Sequence, residues 1–156
     1  MADASIKVTT STQITHIGSG ALIAAGAFSG SADISTALSG TGNMARYPRA
    51  DVALMIAATQ SIATTSQTIY LYRRDLNFDG TNDQGIPGTS NRAKFVGAFT
   101  VPAATTASTT NYMVITDVDV GAPNDVEFYI ENGLGVNVLA GWTLKVTPKT
   151  DVGATA

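Results

Sequence analysis

Apolar and polar residues alternate along most of this chain. "SIKVTT" sets Ile6 and Val8 among polar neighbours, and "TQITHI" carries the pattern through Ile14 and Ile17 with a break of phase between them. A period of two puts one set of side chains on a core face and the other towards solvent, as a β-strand does. "QTIYLYRR" places Ile69 and Leu71 on one face and Tyr70 and Tyr72 on the other, which predicts a strand covered on both sides. "KFVGAFTV", "NYMVITDVDV", "DVEFYIEN" and "GWTLKVTP" continue the series. Each run is rich in β-branched and aromatic residues and bounded by Gly, Pro, Asn or Asp, as strands are. About seven to nine short strands in a single unit point to a sandwich or barrel. The expectation is an all-β fold: a single-domain antiparallel β-sandwich of jelly-roll type with long loops.

The pattern breaks in four places. "SGSADISTALSGTGNMARYPRA" is rich in Gly, Ser and Ala, with a short helical turn expected around Asp33 to Leu38, and reads as a surface excursion that orders against something else. "PAATTASTTN", residues 102–111, has no period and reads as a long hairpin loop or strand connector. "ENGLGVN", residues 131–137, reads as a hairpin turn with Asn132 and Gly133 at its corner. The tail "KTDVGATA" is expected to be mobile unless a neighbouring subunit holds it. The division that follows is 1–47, N-terminal strands and excursion packed on the core or on a partner; 48–148, the sandwich core; and 149–156, a flexible tail, all in one domain.

Composition narrows the partners. Only 13% of the 156 residues are charged, about half the roughly 25% of an ordinary soluble domain, so hydroxyls and backbone must cover much of the surface. The 9 basic residues are scattered and the net charge is −3, which predicts no nucleic-acid partner. "ALIAAGAF" and "ADVALMIAA" fall well short of the roughly 20 apolar residues that span a bilayer as a helix, so no membrane partner is expected. "MADASIKVTT" lacks the basic flank and apolar run of a secretory signal. There is no cysteine, so disulfides and thiolate metal sites are excluded, which leaves the redox compartment open.

The stretch that looks most like chemistry is "DLNFDGTNDQ". Asp75, Asn77, Asp79 and Asp83 stand at positions one, three, five and nine of a calcium-loop pattern, Gly80 at six, and Thr81 would offer its carbonyl at seven. Position twelve is Ile86 instead of the bidentate glutamate, strand sequence precedes the loop, and Arg73 and Arg74 put positive charge beside the would-be cation. The preferred reading is a polar loop in which Asp and Asn bond their own backbone and Asp79-Gly80 makes a turn. A structural calcium on Asp75, Asn77, Asp79 and Asp83 is the other, with no further cofactor expected. No reaction centre stands out. His16, the only histidine, has no Cys, Asp or Glu close in sequence and reads as a strand or edge residue. Asp117 with Asp119, and Asp125 with Glu127, are same-face acids of the kind alternation produces; paired carboxylates about 5 to 10 Å apart would be needed for glycoside hydrolysis. The sole Trp142 reads as a core or interface residue.

"RADVALMIAA", "TIYLYRRDLNFDGTNDQG", "AKFVGAFTVPA" and "FYIENGLGVNVLAGWTLKVTP", in that order, resemble the strand and loop pattern of small β-sandwich virion proteins of tailed bacteriophages, over about residues 48–148. The resemblance implies a head decoration or cement protein: non-enzymatic, made in the host cytoplasm, sited on the outer surface of the capsid and clamping neighbouring subunits of the major capsid protein. It carries no catalytic residues to transfer. Homo-oligomerisation, as dimer or trimer, is a secondary expectation, because exposed sheet edges need a partner or a cover. The alternative from another class is a carbohydrate-binding β module, calcium-assisted, on a fibre or secreted protein. It requires Trp142, Tyr70 or Tyr72 exposed on one concave face.

Overall fold

The structure, a computed structural model, describes residues 7–10, 12–38, 47–56, 60, 68–77, 79–92, 94–102, 111–120 and 125–152. The alternating runs form eight strands among these residues: β1 (Lys7–Thr10), β2 (Ile14–Gly20), β3 (Arg49–Ile56), β4 (Thr68–Leu76), β5 (Lys94–Thr100), β6 (Asn111–Asp119), β7 (Asp125–Asn132) and β8 (Trp142–Val152). They make two antiparallel sheets, one of five strands ordered β1-β8-β3-β6 with β2 also on β8, the other of three ordered β5-β4-β7. The sandwich is as the alternation predicts; the jelly-roll connectivity stays an expectation.

The core lies between the sheets and follows the period of two. Val52, Leu54 and Ile56 of β3, Leu144 and Val146 of β8, Ile69 and Leu71 of β4, and Val126, Phe128 and Ile130 of β7 are all buried in one cluster. Burying an aliphatic or aromatic side chain of this size contributes about 1.5–3 kcal/mol. Trp142, expected in the core or an interface, is fully buried. Its indole N–H donates to the Ala21 carbonyl at 2.7 Å, and its ring lies so close over Gly20 that a β-carbon there would stand 1.9 Å from it. The break of phase in "TQITHI" is real: β2 shifts register against β8 between Thr15 and Ile17.

Strand β4 is covered on both faces, as its two-sided pattern predicts. Tyr72 and Tyr129, on the face away from the core cluster, are nonetheless buried. The cover includes the segment between β4 and β5. Arg74 Nε donates to the Gln84 carbonyl at 2.6 Å, Pro87 is buried, and Arg92 reaches Glu131 at 2.6 Å.

Four sequence expectations change. The helical turn expected at Asp33 to Leu38 is only a 3-10 turn over Ser31–Asp33; Ile34 and Leu38 instead make β-bridges to Ile17 and Val126. The excursion therefore orders on the chain's own strands, because its Gly and Ser backbone can run along a strand edge; residues 39–46 of it lie outside the described residues. "ENGLGVN" is no hairpin. Asn132 is buried at the end of β7, its side-chain amide donating to the carbonyls of Ile23 and Val136, both at 2.9 Å, and the chain then passes to β8 in the other sheet. The tail is not wholly loose, since Lys149 to Val152 belong to β8 and pair with β1. The connector at 103–110 lies outside the described residues.

Candidate functional site

The loop singled out by its calcium-like spacing is organised around hydrogen bonds and ion pairs of its own. Asp75 is buried at the end of β4. Its carboxylate takes the Arg73 Nε at 2.6 Å and the Lys94 ammonium. Burial alone raises its pKa, but the hydrogen bonds and charges of Arg73 and Lys94 outweigh that and hold it below the usual carboxylate value. Asn77 adopts a left-handed backbone, φ 49°, and its N–H donates to Asp83 Oδ1 at 3.0 Å. Asp79 caps the turn, accepting from the N–H groups of Thr81 at 3.0 Å and Asn82 at 2.7 Å. The bond from the Asn82 side-chain amide, and after it those backbone bonds, lower its pKa. Asp83 also accepts from Arg74 at 3.4 Å.

The oxygens of Asp75, Asn77, Asp79 and Asp83 are thus not gathered around one point: Asp75 turns towards Arg73 and Lys94, and Asp79 towards its own turn. No group of three or more His, Asp or Glu side chains among the described residues is placed to hold a metal ion. The Asp and Asn residues bond their own backbone, which is the ordinary-loop geometry.

The acid pairs are also spoken for by neighbours. Glu127 takes Arg74 at 2.9 Å and the Tyr129 hydroxyl at 2.6 Å, while Asp125 lies on the same strand. Burial first, and then the Glu127 carboxylate, push the Tyr129 hydroxyl up. Glu131 accepts from the Tyr72 hydroxyl at 2.7 Å; burial and that bond raise the Tyr72 pKa to about 12. Asp117 has φ 56° and sits where β6 slips register against β3. Its N–H donates to Asp51 at 3.1 Å and its carboxylate accepts from Lys149 at 3.2 Å, so a local charge cluster accounts for the unusual backbone.

His16 is neither exposed nor at a free edge. It is fully buried on β2, with Nδ1 2.8 Å from the Thr36 carbonyl and Nε2 3.1 Å from the Phe128 N–H. A carbonyl only accepts and an amide N–H only donates, so the ring is neutral with its proton on Nδ1. Burial is the largest influence on it and lowers its pKa.

Sequence reasoning missed that bond and the strap it belongs to. Along the outer side of β7, Val126 N–H donates to Leu38 at 3.0 Å and Asn132 N–H to Ala27 at 2.9 Å. Between them, Phe128 N–H goes to His16 and Ile130 N–H to Ser29 Oγ at 3.0 Å. Residues 23–38 close that side of the sandwich. The same segment reaches β2, where Ser35 N–H donates to the His16 carbonyl at 2.8 Å. Gly and Ser carry no hydrophobic period, so no local signal marks such a strap.

On the opposite side, among the described residues, β5 and β6 lie beside one another, with Ile115 against Gly97. An open groove of about 540 Å³ runs between β5 and β6, lined by Arg73, Lys94, Phe95, Ile115, Asp117 and Asp119 among others. On the outward face of the five-stranded sheet beside it, Tyr112 is 67% and Val114 56% exposed. Tyr112 is opposite Met55, which is opposite Thr143; Val114 is opposite Ala53, which is opposite Lys145. Of the aromatics that a carbohydrate platform would need exposed, Trp142 and Tyr72 are buried and Tyr70 is half-buried. No protein-family model, curated protein or solved structure matches the chain.

Proposed function

We propose that this protein is a non-enzymatic structural component of a tailed-phage virion, a decoration or cement protein on the outside of the head that clamps neighbouring subunits of the major capsid protein. The observation that carries the reading is the outward face of the five-stranded sheet. Tyr112 and Val114 are exposed there beside the half-buried Met55, Ala53 and Thr143, an apolar patch bordered by Lys145 and by the Asp51–Lys149–Asp117 cluster, and such a patch with a charged rim suits contact with another protein. The resemblance over about residues 48–148 supports the same reading, as does the loop after β4, which ion pairs of Arg74 with Asp83 and of Arg92 with Glu131 hold in a preformed shape. Repetition over a symmetric shell lets modest contacts suffice, by avidity.

The test is calorimetry of expanded shells of the cognate major capsid protein, melted with and without the purified protein. A rise in shell melting temperature that saturates at a fixed ratio of the two proteins is the expected outcome. Absence of both binding and shift would remove the proposal.

A further inference from the structure

An unpaired strand edge is a template for another strand, and folded proteins protect such edges by shortness, Lys or Pro, bulges, or a covering segment. Here the described edges can be taken in turn. The edge of β7 is covered by residues 23–38, whose bonds to Val126, Ile130 and Asn132 leave none of those N–H groups open. The edge of β2 is met by Ile34 to Thr36 of the same strap. Strand β1 has 4 residues. Strand β5 begins with Lys94 and shifts register against β4 between Leu71 and Tyr72.

Strand β6 differs. It has 9 residues and pairs with β3 on one side only among the described residues. Its C-terminal half is protected in the usual ways, by the register shift opposite Ala50 to Val52 and by Asp117 and Asp119. The stretch Asn111 to Thr116, "NYMVIT", has no charge and no proline, and its register against β3 is unbroken from Asn111 to Ile115. Its outward side chains Tyr112 and Val114 are more than half exposed.

We infer that this half of β6 pairs edge to edge with the same stretch of a second copy, antiparallel about a two-fold axis through Met113 or Val114, so that the five-stranded sheet runs on across a dimer. The charge layout selects this occupant. Antiparallel self-pairing sets the uncharged stretch against itself and sends Asp117 of each copy to opposite ends. At about 3.4 Å per residue the two lie some 20 Å or more apart along the strands, beyond the Debye length of about 10 Å at 0.1 M salt. Parallel pairing in register would set Asp117 and Asp119 against their own copies. A two-fold contact is also the closed arrangement, leaving no further edge to propagate a fibre. The inference is independent of the capsid reading, since it concerns the free protein.

Sedimentation equilibrium over a concentration series decides it. The contact is small, so a dimer with a dissociation constant in the micromolar to millimolar range is expected. Val114→Lys places like charges across the axis and raises that constant by about tenfold or more. Met55→Lys, one strand inward on the same face, leaves it within about twofold, because Met55 stands a strand spacing of about 5 Å behind the edge and takes no place in an edge pairing, although it would lie at the centre of a face-to-face one. Circular dichroism of each variant confirms that the strands remain. A wild-type protein still monomeric at about 1 mM overturns the inference, and so does a dimer that Met55→Lys disrupts as strongly as Val114→Lys.

Discussion

His16 is bound twice in a way that only the neutral ring satisfies, because a protonated ring would turn a second N–H against the Phe128 amide. Burial disfavours the charged form by more than the Thr36 carbonyl and the field of Glu127 favour it, so the folded pKa lies below 6.5. Between the folded value and 6.5 the unfolded chain takes up a proton that the folded chain refuses, so stability falls as pH drops through that window. The slope is at most about 1.4 kcal/mol per pH unit, and the loss levels off below the folded value. As this is the only histidine, the term is isolable. Urea unfolding midpoints from pH 8 to about pH 5 should fall for the wild type more steeply than for His16→Gln, which is less stable at pH 8 but has no imidazole to titrate. Parallel curves for the two proteins would show that His16 does not titrate with unfolding.

At the level of elements, the loop after β4 covers the outer face of that strand and is held there by its own hydrogen bonds and ion pairs. With Asp75 held by Arg73 and Lys94, a cation at the loop would have to compete with an existing ion pair at a nearly dry site, where separating the charges is costly. Millimolar calcium, or a chelator, should therefore leave the melting temperature unchanged, whereas Asp75→Asn should lower stability by about 2–4 kcal/mol by leaving two cations without their carboxylate. A calcium-dependent rise in melting temperature that Asp75→Asn abolishes would restore the loop as a metal site. The element boundaries themselves were well written in the sequence wherever one face met the core: Ile69 and Leu71, Val126 and Phe128, and Leu144 and Val146 each announce an inward face by alternation. Partners across long separations were not written there. Residues 23–38 have no period to betray that they lie along β7, and Asn132-Gly133 has turn chemistry although the chain there crosses between sheets. The calcium-like spacing was legible as a motif, but side-chain direction decides a site, and the contacts of Asp75 with Arg73 and Lys94 depend on tertiary packing.

Over the whole molecule, the chain order sets how the sandwich must assemble. Strand β8 comes last yet pairs with β1, β2 and β3, so the larger sheet lacks its centre until the end of the chain arrives. Strand β4 pairs with β7, across two intervening strands. The path from β5 to β6 to β7 to β8 changes sheets at every step. Few of these contacts are local, and loop-closure entropy is lost before the contacts that offset it form, which places refolding in the millisecond-to-second range typical of all-β sandwiches. Trp142, the single tryptophan, stands at the start of β8 with its ring over Gly20, so its fluorescence reports the docking of the last strand on β2. Stopped-flow refolding followed by Trp142 should be slower than about 10³ s⁻¹ at 25 °C and coincide with the circular-dichroism phase. A tryptophan signal complete within microseconds would place β8 docking in an early collapse, and the long-range pairings would then follow that event instead of limiting it.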